Sequence, residues 1–211
     1  MTSTLAHLAA ALLKSAEPTD ATTDKILDAA LEDLRRSPHI SLGDVAKRAR
    51  VGRVTIYRRF GDKEGLLRAL IVRECHRLTA EVESAMARGR SVEQRFCLGF
   101  VAMLRGTRQR AFVGELIRAQ PEGTLQLLTI DGQAILRLGI AFIAQQIRAE
   151  QNAGHLPQYD PEPVAEILAR LAHSYALTPR GGKALADDKQ AIELARLYLV
   201  PLLTNGPAKV R

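Results

Sequence analysis

The sequence predicts an all-α protein, and three observations support this. Apolar residues return every three or four positions along almost the whole chain, which is the period of an α-helix. No stretch alternates apolar and polar residues for long, as a half-buried strand would. Short breaks rich in Gly, Pro and Asn divide the 211 residues into segments of helix length. With 46% hydrophobic residues, the chain can bury one sizeable core or two modest ones.

The first predicted helix lies in TTDKILDAALEDLRRS. Ile26, Ala29 and Leu34 lie on one apolar stripe, with acidic residues early and arginines late, which is the charge order that a helix dipole favours. The helix should end near Ser37, because the following Pro disfavours helix in the residue before it. Residues 1–19 form an N-terminal extension with a short amphipathic pattern of their own.

Two short helices and a tight turn come next. Ser41 is the predicted N-cap of a helix in SLGDVAKRA, because its hydroxyl can accept a hydrogen bond from a free amide of the first turn. After a brief turn at residues 50–52, RVTIYRRF predicts a third helix, and Lys63 begins a longer one. Cations accumulate between residues 45 and 61, where no Asp or Glu occurs.

The rest of the chain predicts a larger helical body. The segment DGQAILRLGIAFIAQQI is apolar around most of a helix circumference, so it should be mostly buried among other helices. Asp160 is predicted to cap a helix that has Pro161 at its first position. We therefore expect three regions, namely the extension 1–19, a small module 20–66 and a body 67–211.

Composition excludes several classes of protein. The net charge of +7 favours an acidic partner such as nucleic acid. Cys75 and Cys97 are too few for a disulfide framework, and no paired Cys/His spacing indicates a metal, so we predict a cytoplasmic protein without metal or cofactor. No secretory signal or membrane anchor is predicted. There is no Ser/His/Asp or Cys/His order and no phosphate-cradling glycine loop, so we predict no catalytic residue and no enzyme.

The small module has the pattern of a helix-turn-helix that binds DNA. In that motif the second helix enters the major groove, which is ~12 Å wide and admits one helix. Arg53, Val54 and Thr55 at the start of the second helix can reach base edges, and so can Arg58 one turn later. The alternative is that this cationic face is simply solvated. The predicted DNA-contacting residues are Thr23, Ser41, Arg53, Val54, Thr55, Tyr57, Arg58, Arg59 and Lys63.

Two segments carry a family resemblance. TTDKILDAALEDL and SLGDVAKRARVGRVTIYRRFGDKEGLLRAL resemble the DNA-binding half of the TetR family of repressors over roughly a quarter of the chain. The family pattern runs T-x-x-I-x-x-A-A, then T-x-x-x-I-A-x-x-A-G-V-S, then x-x-T-L-Y-x-H-F-x-x-K-E-x-L. The matching residues are Thr23, Ile26, Ala29, Ala30, Ala46, Ala49, Val51, Thr55, Tyr57, Phe60, Lys63, Glu64 and Leu66.

Four positions depart from the pattern. Arg50 stands where the turn usually has Gly, and it must adopt a conformation that is harder for a residue with a Cβ. Gly52 replaces the usual capping Ser and can still cap at a small cost. Val54 replaces a frequent Gly, and Arg59 replaces the usual His while keeping a donor for phosphate.

The resemblance implies that the C-terminal helices form a ligand cavity and a homodimer interface. Predicted ligand-binding residues are Phe100, Met103, Leu104, Arg137, Leu138, Phe142 and His173, although most of them could be ordinary core and Arg137 could extend to solvent. Predicted dimer residues are Val164, Leu168, Leu171, Tyr175, Ile192, Ala195 and Leu199, and the alternative is that these close the core of their own chain.

The leading function is a transcriptional repressor that a small-molecule effector releases from a near-palindromic double-stranded operator. It would act as a homodimer on the nucleoid. The C-terminal half is weakly similar to repressors of quorum-sensing-lactone degradation, and a chain without Trp favours an aliphatic or lactone-like effector over a polyaromatic one. The alternative is a DNA-binding co-regulator or architectural protein whose body binds a protein partner.

Overall fold

The computed structural model describes residues 20–37, 40–109, 112–119, 121–130, 132–178 and 187–206. The predicted all-α fold is confirmed, because most of these residues are helical and no strand occurs among them. In chain order the helices are α1 Ala21–Arg36, α2 Leu42–Ala49, α3 Arg53–Phe60, α4 Lys63–Met86, α5 Val92–Gln109, α6 Phe112–Ala119, α7 Pro121–Leu128, α8 Gln133–Asn152, α9 Pro161–Leu177, α10 Asp188–Leu194 and α11 Val200–Asn205. The predicted N-terminal extension lies outside the described residues.

The described residues divide into two compact units. The first contains the residues up to Arg77 together with those between 111 and 134, so α6 and α7 belong to it although they follow α5 in the chain. The second contains the residues between 78 and 110 and those from 135 onward. The domain limits drawn from the sequence stay a prediction.

Helix α1 is the first and longest helix of the small module. Asp20 caps its N-terminus, where one carboxylate oxygen accepts from the backbone amides of Thr22 and Thr23 at 2.9 and 3.0 Å. The helix ends at Arg36 with Ser37 as its C-cap, which agrees with the predicted end near Ser37. Its apolar face is buried, including Ile26 and Leu27 at no more than 1% exposure, and each such side chain contributes about 1.5–3 kcal/mol through burial.

The turn between α2 and α3 is the strained point of the module. Ser41 caps α2 as predicted, with its hydroxyl 3.3 Å from the Asp44 amide. Arg50 ends α2 in the left-handed conformation at φ 55°, which confirms the difficulty expected from replacing the usual Gly. Gly52 precedes α3 without a side-chain cap, and Ile56 holds α3 against the module because it is completely buried.

The second unit has an aliphatic core between α5, α8, α9 and the last helix. The last helix here means α10, α11 and the turn between them, residues 188–205. Asp160 caps α9 with Pro161 at its start, as the sequence predicted. Within the core, Ala144 and Ile147 of α8 are fully buried. The expectation that this helix is mostly buried is wrong, because most of its other described residues between 135 and 146 are half-buried and three of them are exposed. Outside the core, Gln151 fastens the loop after α8, since its side-chain amide donates to the carbonyls of Pro157 and Tyr159.

The last helix widens into a π-helical turn, Ala195–Leu199, between α10 and α11. The cause lies two residues beyond it, at Pro201. Proline has no N–H to give to the carbonyl of Leu197, and its ring would clash with that carbonyl in a regular α-helix. The chain therefore opens by one residue, and the Val200 amide donates to the carbonyl of Ala195.

Candidate nucleic-acid interface

Helix α3 buries Ile56 and exposes most of its other residues. Ile56 is buried, whereas Val54 is 78% and Tyr57 is 52% exposed, which is unusual for side chains of this size. Thr55 is half-buried, and Arg53 and Arg58 are exposed. A helix of two turns that presents Val, Tyr and Arg to solvent offers both apolar and hydrogen-bonding contacts to a groove.

The cations around α3 differ in whether they have an acidic partner. Among the described residues, no carboxylate lies within ion-pair distance of Lys47, Arg50, Arg53 or Arg58. These four residues are called the open cations below. By contrast, the guanidinium of Arg48 lies 3.6 Å from the carboxylate of Asp33, so its charge is already balanced. The open cations therefore give α2 and α3 a positive surface that can meet phosphates.

The direction of Arg53 depends on a glycine in α2. Its guanidinium lies so close to Gly43 that a Cβ added there would be 2.3 Å from Nη2. All three atoms nearest to that added Cβ belong to Arg53. Gly43 thus leaves the space in which the first side chain of α3 extends across the start of α2.

Arg59 contacts the start of α1 at the surface of the module. Its Nη1 donates to a carboxylate oxygen of Asp20 and, at 2.8 Å, to the hydroxyl of Thr23. The Thr23 hydroxyl also lies 3.3 Å from the same oxygen of Asp20. These contacts join the last turn of α3 to the start of α1. The hydrogen bond from the Thr23 amide and then Arg59 lower the pKa of Asp20 from 3.8 to about 2.

Two further predicted DNA-contacting residues, Ser41 and Lys63, are less exposed than the outer face of α3. The Ser41 hydroxyl accepts the hydrogen bond that caps α2, and Lys63 is half-buried at the first position of α4. Thr23, as described, is hydrogen-bonded to Arg59. The structure therefore places Arg53, Val54, Tyr57 and Arg58 on the exposed face of α3 and engages the other side chains more fully with the protein.

A buried ion network holds α4 against α1, and sequence reasoning missed it. Arg73 is 8% and Glu74 is 7% exposed, and the Arg73 guanidinium contacts the carboxylates of Asp28 at 2.8 Å and Glu74 at 3.3 Å. Arg77 adds a second contact to Glu74 at 3.1 Å. The signal in the sequence is an acid, Glu74, within the apolar stripe of α4. Removing one of the two buried members, Arg73 or Glu74, costs about 3–5 kcal/mol.

The geometry agrees with what known proteins show. A family model described as bacterial regulatory proteins, tetR family, matches residues 26–70, which cover α2, α3 and parts of the flanking helices. The regulator AlkX of Mycobacterium tuberculosis, an HTH-type transcriptional regulator, is 31% identical over an alignment of 185 residues. The alignment covers 82% of this chain and 82% of that one. The chain belongs to the TetR family. It is therefore a DNA-binding transcriptional regulator with an N-terminal helix-turn-helix, as the sequence predicted.

Other relatives share the fold over most of its length. An uncharacterized HTH-type transcriptional regulator of Mycobacterium tuberculosis is 27% identical over 202 residues, 93% of each chain. The crystal structure of the TetR family repressor AlkX from Dietzia sp. has a TM-score of 0.67 at 20% identity, covering 86% of this chain and 97% of that one. The repressor QsdR of R. erythropolis has a TM-score of 0.59 at 21% identity, covering 89% and 96%.

The predicted effector residues of this TetR family member differ in their surroundings. Phe100, Met103 and Leu104 come together around a small apolar cluster in the second unit, where the ring of Phe100 meets that of Tyr175 edge-on at 5.9 Å. Leu138, Phe142 and His173 are half-buried on α8 and α9. Arg137 is exposed, which is the alternative that the sequence left open for it.

The predicted dimer residues lie mainly in the core of their own chain. Val164, Leu168, Ala195 and Leu199 belong to one buried cluster of the second unit, each at 9% exposure or less. For these four the structure therefore supports the alternative of internal packing over an interface. Leu171, Tyr175 and Ile192 are half-buried against the two clusters of that unit. The periodicity showed the apolar stripe but could not show which side of it faces the same chain.

The described residues offer little for metal or thiol chemistry. Among them, no group of three or more His, Cys, Asp or Glu could hold a metal ion. Burial, followed by the charge of Glu74, raises the pKa of the Cys75 thiol to about 12, and burial also raises that of Cys97. Neither thiol is poised to form a thiolate near neutral pH. In the part of the chain that the structure describes, no helix has the length and apolarity needed to cross a membrane.

Proposed function

We propose that this regulator is a repressor that binds a near-palindromic operator as a homodimer and leaves it when a small-molecule effector binds the second unit. The observation that supports DNA binding is the set of open cations on α2, the following turn and α3. They lie beside Val54 and Tyr57, which are exposed on α3. Arg53, Val54, Thr55 and Arg58 would read base edges in the major groove, and Tyr57 with Lys63 would contact phosphates. The protein would act in the cytoplasm, on the nucleoid.

The DNA proposal can be tested by selecting bound fragments from a random pool of duplexes. The selected operator should show two similar half-sites, with centres about 34–36 Å or a multiple apart, because two copies of α3 must meet the major groove on one face. If each subunit neutralises three or four phosphates, the logarithm of the binding constant should fall against that of the salt concentration with a slope of roughly −5 to −7. No preference for any duplex over heparin would refute the proposal.

A homodimer is proposed through the outer faces of α9 and the last helix. Ile167 is 48%, Leu197 is 57% and Tyr198 is 67% exposed, although each lies within two residues of a member of the buried cluster. Apolar side chains exposed next to a core are typical of a surface that a second copy covers. These three side chains replace Val164, Leu168, Ala195 and Leu199 as the proposed contacts.

Sedimentation or light scattering of purified protein tests this surface. Leu197→Glu should shift the protein toward monomer, because a charge would be buried between the two copies. Ile130→Glu is the matched control, since Ile130 is an equally apolar residue of the first unit that is 84% exposed. A wild-type protein that is monomeric at all concentrations, or equal behaviour of both variants, would contradict the proposed interface.

The proposed effector is an aliphatic or lactone-like molecule that binds near Phe100, Met103 and Leu104. It would displace α4 and so change the separation of the two α3 helices in the dimer. A ligand can do this only if its affinity differs between the two forms. Thermal unfolding with a library of acyl lactones and medium-chain fatty acids should find a stabiliser that also lowers operator affinity. The relatives do not favour the alternative of a co-regulator with a protein partner.

A further inference from the structure

Arg59 is the exception among the cations of α3. Arg53 and Arg58 have no acidic partner within the described residues, whereas Arg59 forms an ion pair with Asp20, thirty-nine residues earlier in the chain. The Arg59 side chain keeps 28% of its exposure, and that of Asp20 keeps 55%. The pair is therefore formed at the surface of the module, on the helix that presents the open cations.

Asp20 uses its two carboxylate oxygens for two separate purposes. Oδ1 accepts from the amides of Thr22 and Thr23 and so caps α1. Oδ2 accepts from Arg59 and lies 3.3 Å from the Thr23 hydroxyl. The cap requires only one oxygen, and Asn or Ser caps a helix about as well as Asp does. The charge and the second oxygen of Asp20 are thus needed for holding Arg59 and not for ending the helix.

We propose that Asp20 is a specificity-determining residue that withholds Arg59 from DNA phosphates and so lowers the affinity of the module for duplexes of any sequence. A phosphate and the Asp20 carboxylate would compete for the same guanidinium. Non-specific binding to DNA depends almost entirely on such phosphate contacts, whereas operator binding also depends on base contacts. Limiting the number of open cations therefore favours the operator over the many other sites. The inference rests on the proposed binding of DNA through α3.

The test replaces Asp20 with Asn in the full-length protein. The side-chain oxygen of the introduced Asn can still accept from the two amides of α1, but its NH₂ group is a donor and repels the donors of Arg59. Binding to a duplex of unrelated sequence is then measured by fluorescence anisotropy as a function of salt. With one more phosphate contact per subunit, the slope should become steeper by about 0.9 per subunit, so a dimer loses about tenfold more affinity between about 50 and 200 mM salt.

Two controls separate this effect from a general change of charge. Glu162→Gln makes the same change of net charge in the second unit, where Glu162 pairs with Arg148 of α8 at 2.7 Å, and it should leave the slope as in the wild type. The double variant Asp20→Asn/Arg59→Gln should lose the gain that Asp20→Asn gives alone, because the released guanidinium is gone. Thermal unfolding confirms that the capped α1 survives in each variant.

Each outcome has one interpretation. A steeper slope in Asp20→Asn that disappears in the double variant supports the inference. If the wild type binds duplex DNA but Asp20→Asn has the same slope and affinity, Asp20 only fastens α3 to α1 and the inference is wrong. If the wild type binds no duplex, the proposed function itself fails, and the Asp20 variant is not the cause.

Discussion

The open cations of α2 and α3 and five arginines of the second unit have different surroundings. In the second unit, five arginines each contact a carboxylate, namely Arg95, Arg105, Arg148, Arg170 and Arg196. The open cations of the first unit have none within the described residues. The same residue type thus serves two purposes. In the five pairs it neutralises an acid, and among the open cations it leaves a positive charge for a partner.

The two arrangements differ in what they contribute to the free protein. An exposed ion pair contributes only about 0–1 kcal/mol to stability, so the pairs of the second unit mainly keep its surface balanced. Open cations close to one another repel and stabilise nothing in the free protein. Their repulsion is relieved only when phosphates approach, and counterions released from the DNA then favour binding. A net charge of +7 therefore indicates DNA binding here because part of it is concentrated on α2 and α3.

The largest predicted effect tests this comparison directly. Arg53→Ala should weaken operator binding by about 1–3 kcal/mol, or roughly 5- to 150-fold, if Arg53 reads a base edge. Arg148→Ala in the second unit removes an arginine that already has an acidic partner, so it should change binding by less than about threefold. Anisotropy titrations of both variants on the selected operator give the ratio. Equal losses would show that only total charge matters.

The sequence predicted those features that depend on neighbours along the chain. The caps at Ser41 and Asp160 follow from a hydroxyl or carboxylate beside free amides, and the structure confirms both. The left-handed conformation of Arg50 was expected from the family pattern, which has Gly at this turn where the chain has a residue with a Cβ. The two caps required knowledge of only one helix end, and the turn also required the family pattern.

Features that depend on packing between distant segments were not predictable. The contact of Arg59 with Asp20 arises only when α1 and α3 fold together, so no local pattern indicated it. The apolar stripes of α9 and the last helix were visible, but which side of them faces the core was decided by neighbouring helices. The π-helical turn near Pro201 moves the register of the last helix by one residue, which a period of 3.6 does not anticipate.

A second prediction tests whether the direction of the Arg53 side chain affects operator binding. Gly43→Ala should weaken operator binding by about 1 kcal/mol, because the added methyl group occupies the place of the Arg53 guanidinium and so weakens its base contact. It should not lower the free energy of unfolding, since the displaced group is the end of a flexible side chain and Ala is favoured over Gly in a helix by about 1 kcal/mol. Titration and urea unfolding measure the two effects. In an Arg53→Ala background the substitution should cause no further loss of affinity.

A third prediction separates charge from backbone strain at Arg50. Arg50→Gly should raise the free energy of unfolding by about 0.5 kcal/mol, because relief of the left-handed conformation, about 1–2 kcal/mol, exceeds the extra entropy that Gly loses on folding. Arg50→Ala removes the same charge but keeps the Cβ, so it should give no such gain. Both variants should weaken the salt dependence of DNA binding equally. A gain in stability for Ala equal to that for Gly would assign the effect to relieved repulsion among cations.

The smallest predicted effect concerns acid, and it contrasts a paired cation with the open ones. The folded pKa of Asp20, about 2, is below its ordinary value of 3.8, so the ionised carboxylate stabilises the folded state. That contribution is present above the ordinary pKa of 3.8 and is lost as the pH falls through about 2. Urea unfolding of the wild type and of Asp20→Asn should therefore differ most near pH ~5 and converge toward pH ~2. A difference that stays constant over this range would mean that the proton on Asp20 does not affect its contact with Arg59.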